Sequence, residues 1–273
     1  MSITIAELNL YPIKGCRGVS LRSANLVATG LEANGIGDRE WVIVDADGEF
    51  LSQREYPQMA LIETRFAGES LRLRAPGMLA LEVPFASEGD VLDVRVWDDT
   101  IAAVTQGEIA DAWCSAFLGR PARLMRFDPE ARRIASVKYT GKIEAPYKFA
   151  DGMPLLIANT ASLGDLNRRL KTPVAMNRFR PNIVLDGIAA FEEDYVRELR
   201  IGGMRLRPVK PCARCTVPGV DQETGETSTE VPDALAKFRR TNDGVMFGVN
   251  AIVLEGAGGT LNVGDSVEVE LNV

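Results

Sequence analysis

Two thiols stand out by their spacing. In the run RPVKPCARCTVPGVDQETGE, residues 207–226, Cys212 and Cys215 are separated by two residues, in a chain of 273 residues with four cysteines and no histidine. Without imidazole no Ser-His-Asp triad or Cys-His dyad can form, and no metal can be held by histidine. Chemistry must therefore come from Cys, Lys, Arg, Asp or a cofactor. A thioredoxin-like dithiol should open a helix, yet TVPGVDQETG follows, with a proline and two glycines that forbid one. A structural zinc would need four thiolates, and Cys16 and Cys114 stand singly. Plant-type iron–sulfur spacing is absent as well. One thiolate on a soft transition metal that brings most of its own ligands stays open.

Cations form the second group. YPIKGCRG puts Lys14 just after a strand-like run, GIGDREW puts Arg39 before one, and NRFRPNIV puts Arg178 and Arg180 before another. Each alone reads as a solvated surface charge. Together they set several cations beside strand ends in an acidic protein, which suits an anionic, phosphate-bearing ligand.

The totals narrow the setting. A net charge of −7 opposes a broad nucleic-acid surface, and a 46% hydrophobic composition supplies one large or two modest cores. The start, MSITIAELNLYPIKG, has no basic leader region, and no run approaches a membrane span, so the expected compartment is the cytoplasm with no membrane partner. Scattered cysteines fit free or metal-bound thiols in a reducing compartment.

These side chains need a frame, and its signals are mostly β. Alternation in ITIAELNLYPI, REWVIVDADGEFLS, MALIETRF, SLRLRAP and VLDVRVWD, with a hairpin turn at Asp47 and Gly48, predicts closely spaced strands of a barrel or sandwich. EIADAWCSAFLG predicts a helix with Ile109, Ala112, Trp113, Ala116 and Phe117 at helical spacing, stopped by Gly119, and with Cys114 as a small buried hydrophobe. Residues 128–150 read as a connecting loop. A second helix is expected after a Thr160 cap, with Leu163, Leu166 and Leu170 on one face, and a short one beginning at Pro232. Further strands follow at RPNIVLDG, VRELRIGGMRLRPV, GVNAIVLE and DSVEVELNV. The expected fold class is mainly β (α+β): two interleaved β-barrel-like domains, residues 1–100 and 101–273, with a few short peripheral helices.

The runs YPIKGCRG, GDREWVIVDADG, FADGMPLLI, NRFRPNIVLDG and PCARCTVPGVDQETGE, in that order over nearly the whole chain, resemble the MOSC-domain proteins with a β-barrel N-terminal region. That group includes the mitochondrial amidoxime-reducing components and bacterial relatives. The resemblance implies a molybdenum cofactor, a pyranopterin phosphate whose dithiolene holds molybdenum, with the second cysteine of C-x-R-C, Cys215, as protein ligand to the metal. It implies Lys14, Arg39 and Arg180 as the cations that hold the pterin, and Asp151, Gly152 and Met153 as its lining. Ala213 and Arg214 adjoin the ligand, and Asp221 follows it in the V-D-x-x-T-G loop as a second catalytic residue.

Three departures bear on the cofactor contacts. The mitochondrial members have serine where this chain has Gly15, threonine and serine where it has Gly152 and Met153, and tyrosine where it has Asn250. Lost hydroxyls would have to be replaced by backbone groups. The implied activity is reduction of small N-hydroxylated compounds. Some larger bacterial relatives end in a ferredoxin-like domain and this chain stops at Val273, so electrons are expected from a separate flavin or iron–sulfur protein. The rival expectation is a carrier, in which Cys215 holds a persulfide or hands the cofactor on.

Overall fold

In the computed structural model, which describes residues 2–86 and 88–272, strands account for 41% of the chain and helices are few. A nine-stranded sheet forms one half. Its path runs Val19–Leu21, Thr4–Leu10, Ile183–Asp186, Leu155–Asn159, Gly244–Glu255, Met204–Ala213, Val196–Ile201 and Glu268–Leu271, with Arg240–Thr241 on the side of Gly244–Glu255. Within it only Leu155–Asn159 and Ile183–Asp186 run parallel, joined by the helix Thr160–Asn167, because a parallel return needs a crossover. The other half holds the four-stranded sheet Val91–Val96, Asp99–Thr105, Arg123–Phe127, Trp41–Val44 and the three-stranded sheet Glu63–Ala67, Ser70–Arg74, Leu81–Pro84.

The halves interleave at both chain ends. Thr4–Leu10 pairs with Ile183–Asp186, Leu8 opposite Ile183, and Ser23–Val27 pairs with Thr260–Asn262. One core accordingly mixes Leu8, Leu26 and Leu31 with Ile157, Leu206 and Val249. Because the first strand is built into the second sheet, the residues after it, Lys14 above all, are delivered to the ends of strands formed more than a hundred residues later.

Several local expectations need correction. The first helix, Glu108–Leu118, buries Ala110, Trp113, Cys114 and Leu118, while Ile109 is 79% exposed and Ala112 and Ala116 face solvent. Of the expected stripe Trp113 and half-buried Phe117 do pack on the core; the buried arc is rotated toward 110–113–114–118, which also fits helical spacing and carries Cys114 inward. The cap of the second helix is Asn159, whose carboxamide oxygen accepts the Ala161 N–H at 3.0 Å, and Thr160 is already helical. The short later helix starts at Glu230, two residues before Pro232. The 128–150 connection contains one helical turn, Val137–Thr140. Cys114 is buried, and Asp47–Gly48 makes its turn, with Gly48 at φ +82° and Val44 bridged to Phe50.

Candidate functional site

Lys14 follows the first strand, where Ile13 bridges Trp41 and the Lys14 N–H donates to the Trp41 carbonyl at 2.8 Å. Its side chain is buried. Nζ donates to the Phe149 carbonyl at 2.9 Å and is ion-paired with Asp151. Burial drives the lysine pKa below its ordinary 10.5, and Asp151 offsets only part of that. Asp151 sits at the cleft mouth, its side chain 70% exposed, and also accepts the Trp97 indole N–H at 2.8 Å. Desolvation opposes its charge, but the Lys14 ammonium, the Trp97 indole N–H and Arg39 together hold the carboxyl well below the usual range.

Two arginines complete the cationic floor. Arg39 is ion-paired with buried Asp38, and its guanidinium also donates to Asn182 Oδ1 at 3.3 Å and the Arg180 carbonyl at 3.2 Å. Arg180 donates from Nη1 to the Cys16 carbonyl at 2.7 Å, while its Nη2 is buried without a hydrogen-bond partner among the described residues. Burial first, then Arg39, pushes the Arg180 pKa down to about 10, so the group is still charged at neutral pH. Both arginines have left-handed backbones, φ +47° and +57°, a conformation that non-glycine residues adopt at a cost and that gathers at binding sites.

The cysteine loop forms the facing wall. It leaves the strand Met204–Ala213, with Arg214 bonded from its N–H to the Val245 carbonyl at 2.8 Å. Arg214 Nη1 lies 3.1 Å from Cys212 Sγ and Nη2 donates to the Phe179 carbonyl at 2.9 Å, leaving buried Nε without a partner among the described residues. Cys215 is exposed and Cys212 half-buried.

Lys14, Gly15, Arg39, Asp151, Met153, Arg180, Arg214, Cys215 and Asn250 thus line one cleft, which encloses about 840 Å³ of empty space partly open to solvent. Gly152, Ala213 and Asp221 do not line it. Ala213 is paired in its strand opposite Met246. Asp221 is ion-paired with Arg178 at 2.6 Å. Gly15 has φ +82°, and a Cβ there would lie 2.8 Å from Met59 Cε, so a larger residue could enter only if Met59 moved. Its carbonyl instead accepts Gln53 Nε2 at 2.7 Å. The sequence reading missed Phe50, Arg54 and Trp97 on the rim and Asn182 at the floor. Of these, Arg54 alone sits in a polar triplet, Ser52-Gln53-Arg54 after the hairpin, that could have pointed to it.

An anionic cofactor fits this donor set. Five guanidinium or ammonium groups, those of Lys14, Arg39, Arg54, Arg180 and Arg214, line the cleft around the Asp151 carboxylate, and two of the buried guanidinium N–H groups lack partners among the described residues; burying them so is costly unless a ligand completes them. Among the described residues no group of three or more Cys, Asp or Glu is arranged to hold a metal, so a metal at Cys215 would rely on ligands that the cofactor carries.

Residues 2–121 match the MOSC N-terminal beta barrel domain and residues 144–268 the MOSC domain. The chain is 35% identical over 282 residues to the mitochondrial amidoxime reducing component 2 of Bos taurus, covering 97% of this chain and 82% of that protein. It is 33% identical over 277 residues to component 1 of Homo sapiens, with the same coverage. The crystal structure of the YUAD protein from Bacillus subtilis shares the fold, with a TM-score of 0.50 at 10% identity over 100% of this chain and 98% of that one. The chain belongs to the MOSC-domain proteins with an N-terminal beta barrel domain, the family of the amidoxime-reducing components.

Proposed function

We propose that this protein is a molybdenum-cofactor-dependent reductase of small N-hydroxylated compounds. The observation that carries the reading is the convergence of Lys14, Arg39, Arg180 and Arg214 with an exposed Cys215 in one cleft. The names of the relatives support the substrate class. When bound, the cofactor supplies two-electron chemistry at molybdenum, so that R–NHOH, two electrons and two protons give R–NH₂ and water.

The protein's own groups bind and orient. Lys14, Arg39 and Arg180 hold the phosphate and pterin by charge-assisted hydrogen bonds. Cys215 offers a soft thiolate to the metal. The Gly15 backbone, Asp151, Gly152, Met153, Ala213, Arg214 and Asn250 are proposed to shape the cofactor's surroundings, with Lys14 keeping Asp151 ionised at the mouth. Electrons come from a separate flavin or iron–sulfur protein. The proposed division of the chain is residues 1–100 and 101–273. The proposed compartment is the cytoplasm, supported by four free cysteines, although the relatives are named mitochondrial. Among the described residues no helix is long and apolar enough to cross a membrane.

Protein made in a host that synthesises the cofactor should carry about one molybdenum and one pterin per chain and reduce a hydroxylamine or amidoxime with a chemically reduced dye. Loaded protein that fails with every donor would favour the carrier reading.

A further inference from the structure

Two like charges, Arg39 and Arg180, occupy one buried floor, and among the described residues Arg39 is ion-paired with a carboxylate while Arg180 is not. A second carboxylate would neutralise the charge that an anion needs. Instead both guanidiniums lie over the ring of Tyr11, each with Cζ 4.4 Å from its centroid. The face of an aromatic ring attracts cations through its quadrupole without cancelling their charge.

The polar groups of Tyr11 bind the same two segments. Its N–H donates to Asp38 Oδ1 at 2.9 Å, which fixes the partner of Arg39. Its carbonyl accepts the Arg39 N–H at 2.7 Å. Its hydroxyl donates to the Pro181 carbonyl at 3.3 Å, next to Arg180. Tyr11 is 3% exposed and does not line the cleft. Burial pushes its phenol up to about 12 against the pull of Arg180 and Arg39, so the ring stays neutral. Gly18 holds the ring from outside, since a Cβ there would lie 2.5 Å from Tyr11 Cε1. The left-handed backbones of Arg39 and Arg180 flank this ring, and such strained backbones persist only where neighbours over-determine them.

We propose that Tyr11 is the positioning residue of the anion site, holding the Arg39 and Arg180 guanidiniums over one aromatic ring so that they act as a pair on a single anionic group. This rests on the reading of the cleft as the seat of an anionic cofactor. The group recognised is a phosphate ester, and the ring face, not the phenol hydroxyl, provides most of the effect.

Titration of the cofactor-free full-length chain with inorganic phosphate, over a range of salt, tests it through Tyr11→Phe, Tyr11→Leu and Gly18→Ala. Tyr11→Phe should bind within about twofold of the parent chain. Tyr11→Leu should bind roughly tenfold more weakly, equivalent to about 1.4 kcal/mol. Gly18→Ala, which pushes on the ring from a position outside the cleft, should fall between them. In the parent chain the Nε–H resonances of Arg39 and Arg180 should be shifted upfield by the ring current, and both shifts should vanish in Tyr11→Leu.

Leucine binding as well as tyrosine, or phenylalanine binding as poorly as leucine, would overturn the role of the ring. If Tyr11→Leu does not fold, unchanged affinity and unchanged arginine resonances in Gly18→Ala would overturn it equally. A parent chain that binds no phosphate, with both arginine resonances ring-shifted, would overturn the reading of the cleft and leave the geometry of the ring standing.

Discussion

The guanidinium of Arg178 lies 2.6 Å from the carboxylate of Asp221, tying the segment before the strand Ile183–Asp186 to the loop after Cys215. Asp221 Oδ1 also accepts the N–H groups of Glu223 and Thr224 at 2.8 and 3.1 Å. These backbone bonds first, with Arg178 assisting, hold its pKa below the ordinary 3.8. Its stabilising contribution is therefore present above that pH and lost as pH falls further below it. These contacts tie the loop together, and Asp221 is not among the residues that line the cleft. Asp221→Asn, which keeps an acceptor for the turn, should leave turnover within a few-fold of the parent. Asp221→Ala should lower stability by about 1–2 kcal/mol, as expected for lost hydrogen bonds of this kind. A cofactor-loaded Asp221→Asn protein without turnover would instead show Asp221 to be a catalytic group, the role the family resemblance implies for it.

Gln53 and Gln222 clasp the two walls. Gln222 Nε2 donates to Gln53 Oε1 at 2.9 Å and Gln53 Nε2 returns to Gln222 Oε1 at 3.2 Å, with both side chains buried. Either alanine substitution leaves the other residue's buried amide oxygen without its partner, although its Nε2 keeps a carbonyl, Gly15 for Gln53 and Val220 for Gln222; the loss should be about 1–3 kcal/mol. The double variant should be less destabilised than the sum of the singles, with a coupling of about 0.5–3 kcal/mol. Denaturant melts of the four proteins measure this, and strict additivity would show that the clasp is not a unit.

Lys14 sets a pH dependence. Burial lowers its folded pKa below 10.5, so phosphate binding by the cofactor-free chain should begin to weaken at a lower pH than an ordinary lysine would give. Stability changes in the opposite direction. Between the folded pKa and 10.5 the unfolded chain binds more protons, so this group's contribution to stability rises with pH. Lys14→Arg should move the loss of phosphate binding to higher pH, since guanidinium keeps its charge. A pH profile identical in the two proteins would remove Lys14 from the anion site.

The cations were legible before the fold because Lys14, Arg39 and Arg180 each sit one to four residues from a strand end, and strand ends are where a sheet offers side chains to a ligand. The interleaving that brings them together was legible only in part, through the family motifs. Trp97 and Phe50 were invisible because their place depends on long-range contacts: Trp97 Nε1 reaches Asp151 across 54 positions, and the Lys14 ammonium lies 5.3 Å from the centroid of the Phe50 ring. Asn182 falls within NRFRPNIV, a run in which the arginines carry the signal. Its role comes from contacts with Arg39 and the Leu156 N–H, neither of them local. The face of Glu108–Leu118 was misjudged because two apolar arcs were available and only packing selects one.

The two thiols should separate by function. Cys212, held near the Arg214 guanidinium, is proposed as a supporting thiol, and Cys212→Ala should retain activity with metal affinity weakened by roughly 10- to 100-fold. Cys215→Ala should lose turnover while keeping part of the pterin, because Lys14, Arg39 and Arg180 remain. X-ray absorption at the molybdenum edge, counting sulfur neighbours in the parent chain and in each variant, measures the central claim directly. One sulfur neighbour fewer in Cys215→Ala, with the parent count kept in Cys212→Ala, is the expected result. An unchanged sulfur count in Cys215→Ala, or the loss of a neighbour in Cys212→Ala instead, would contradict it.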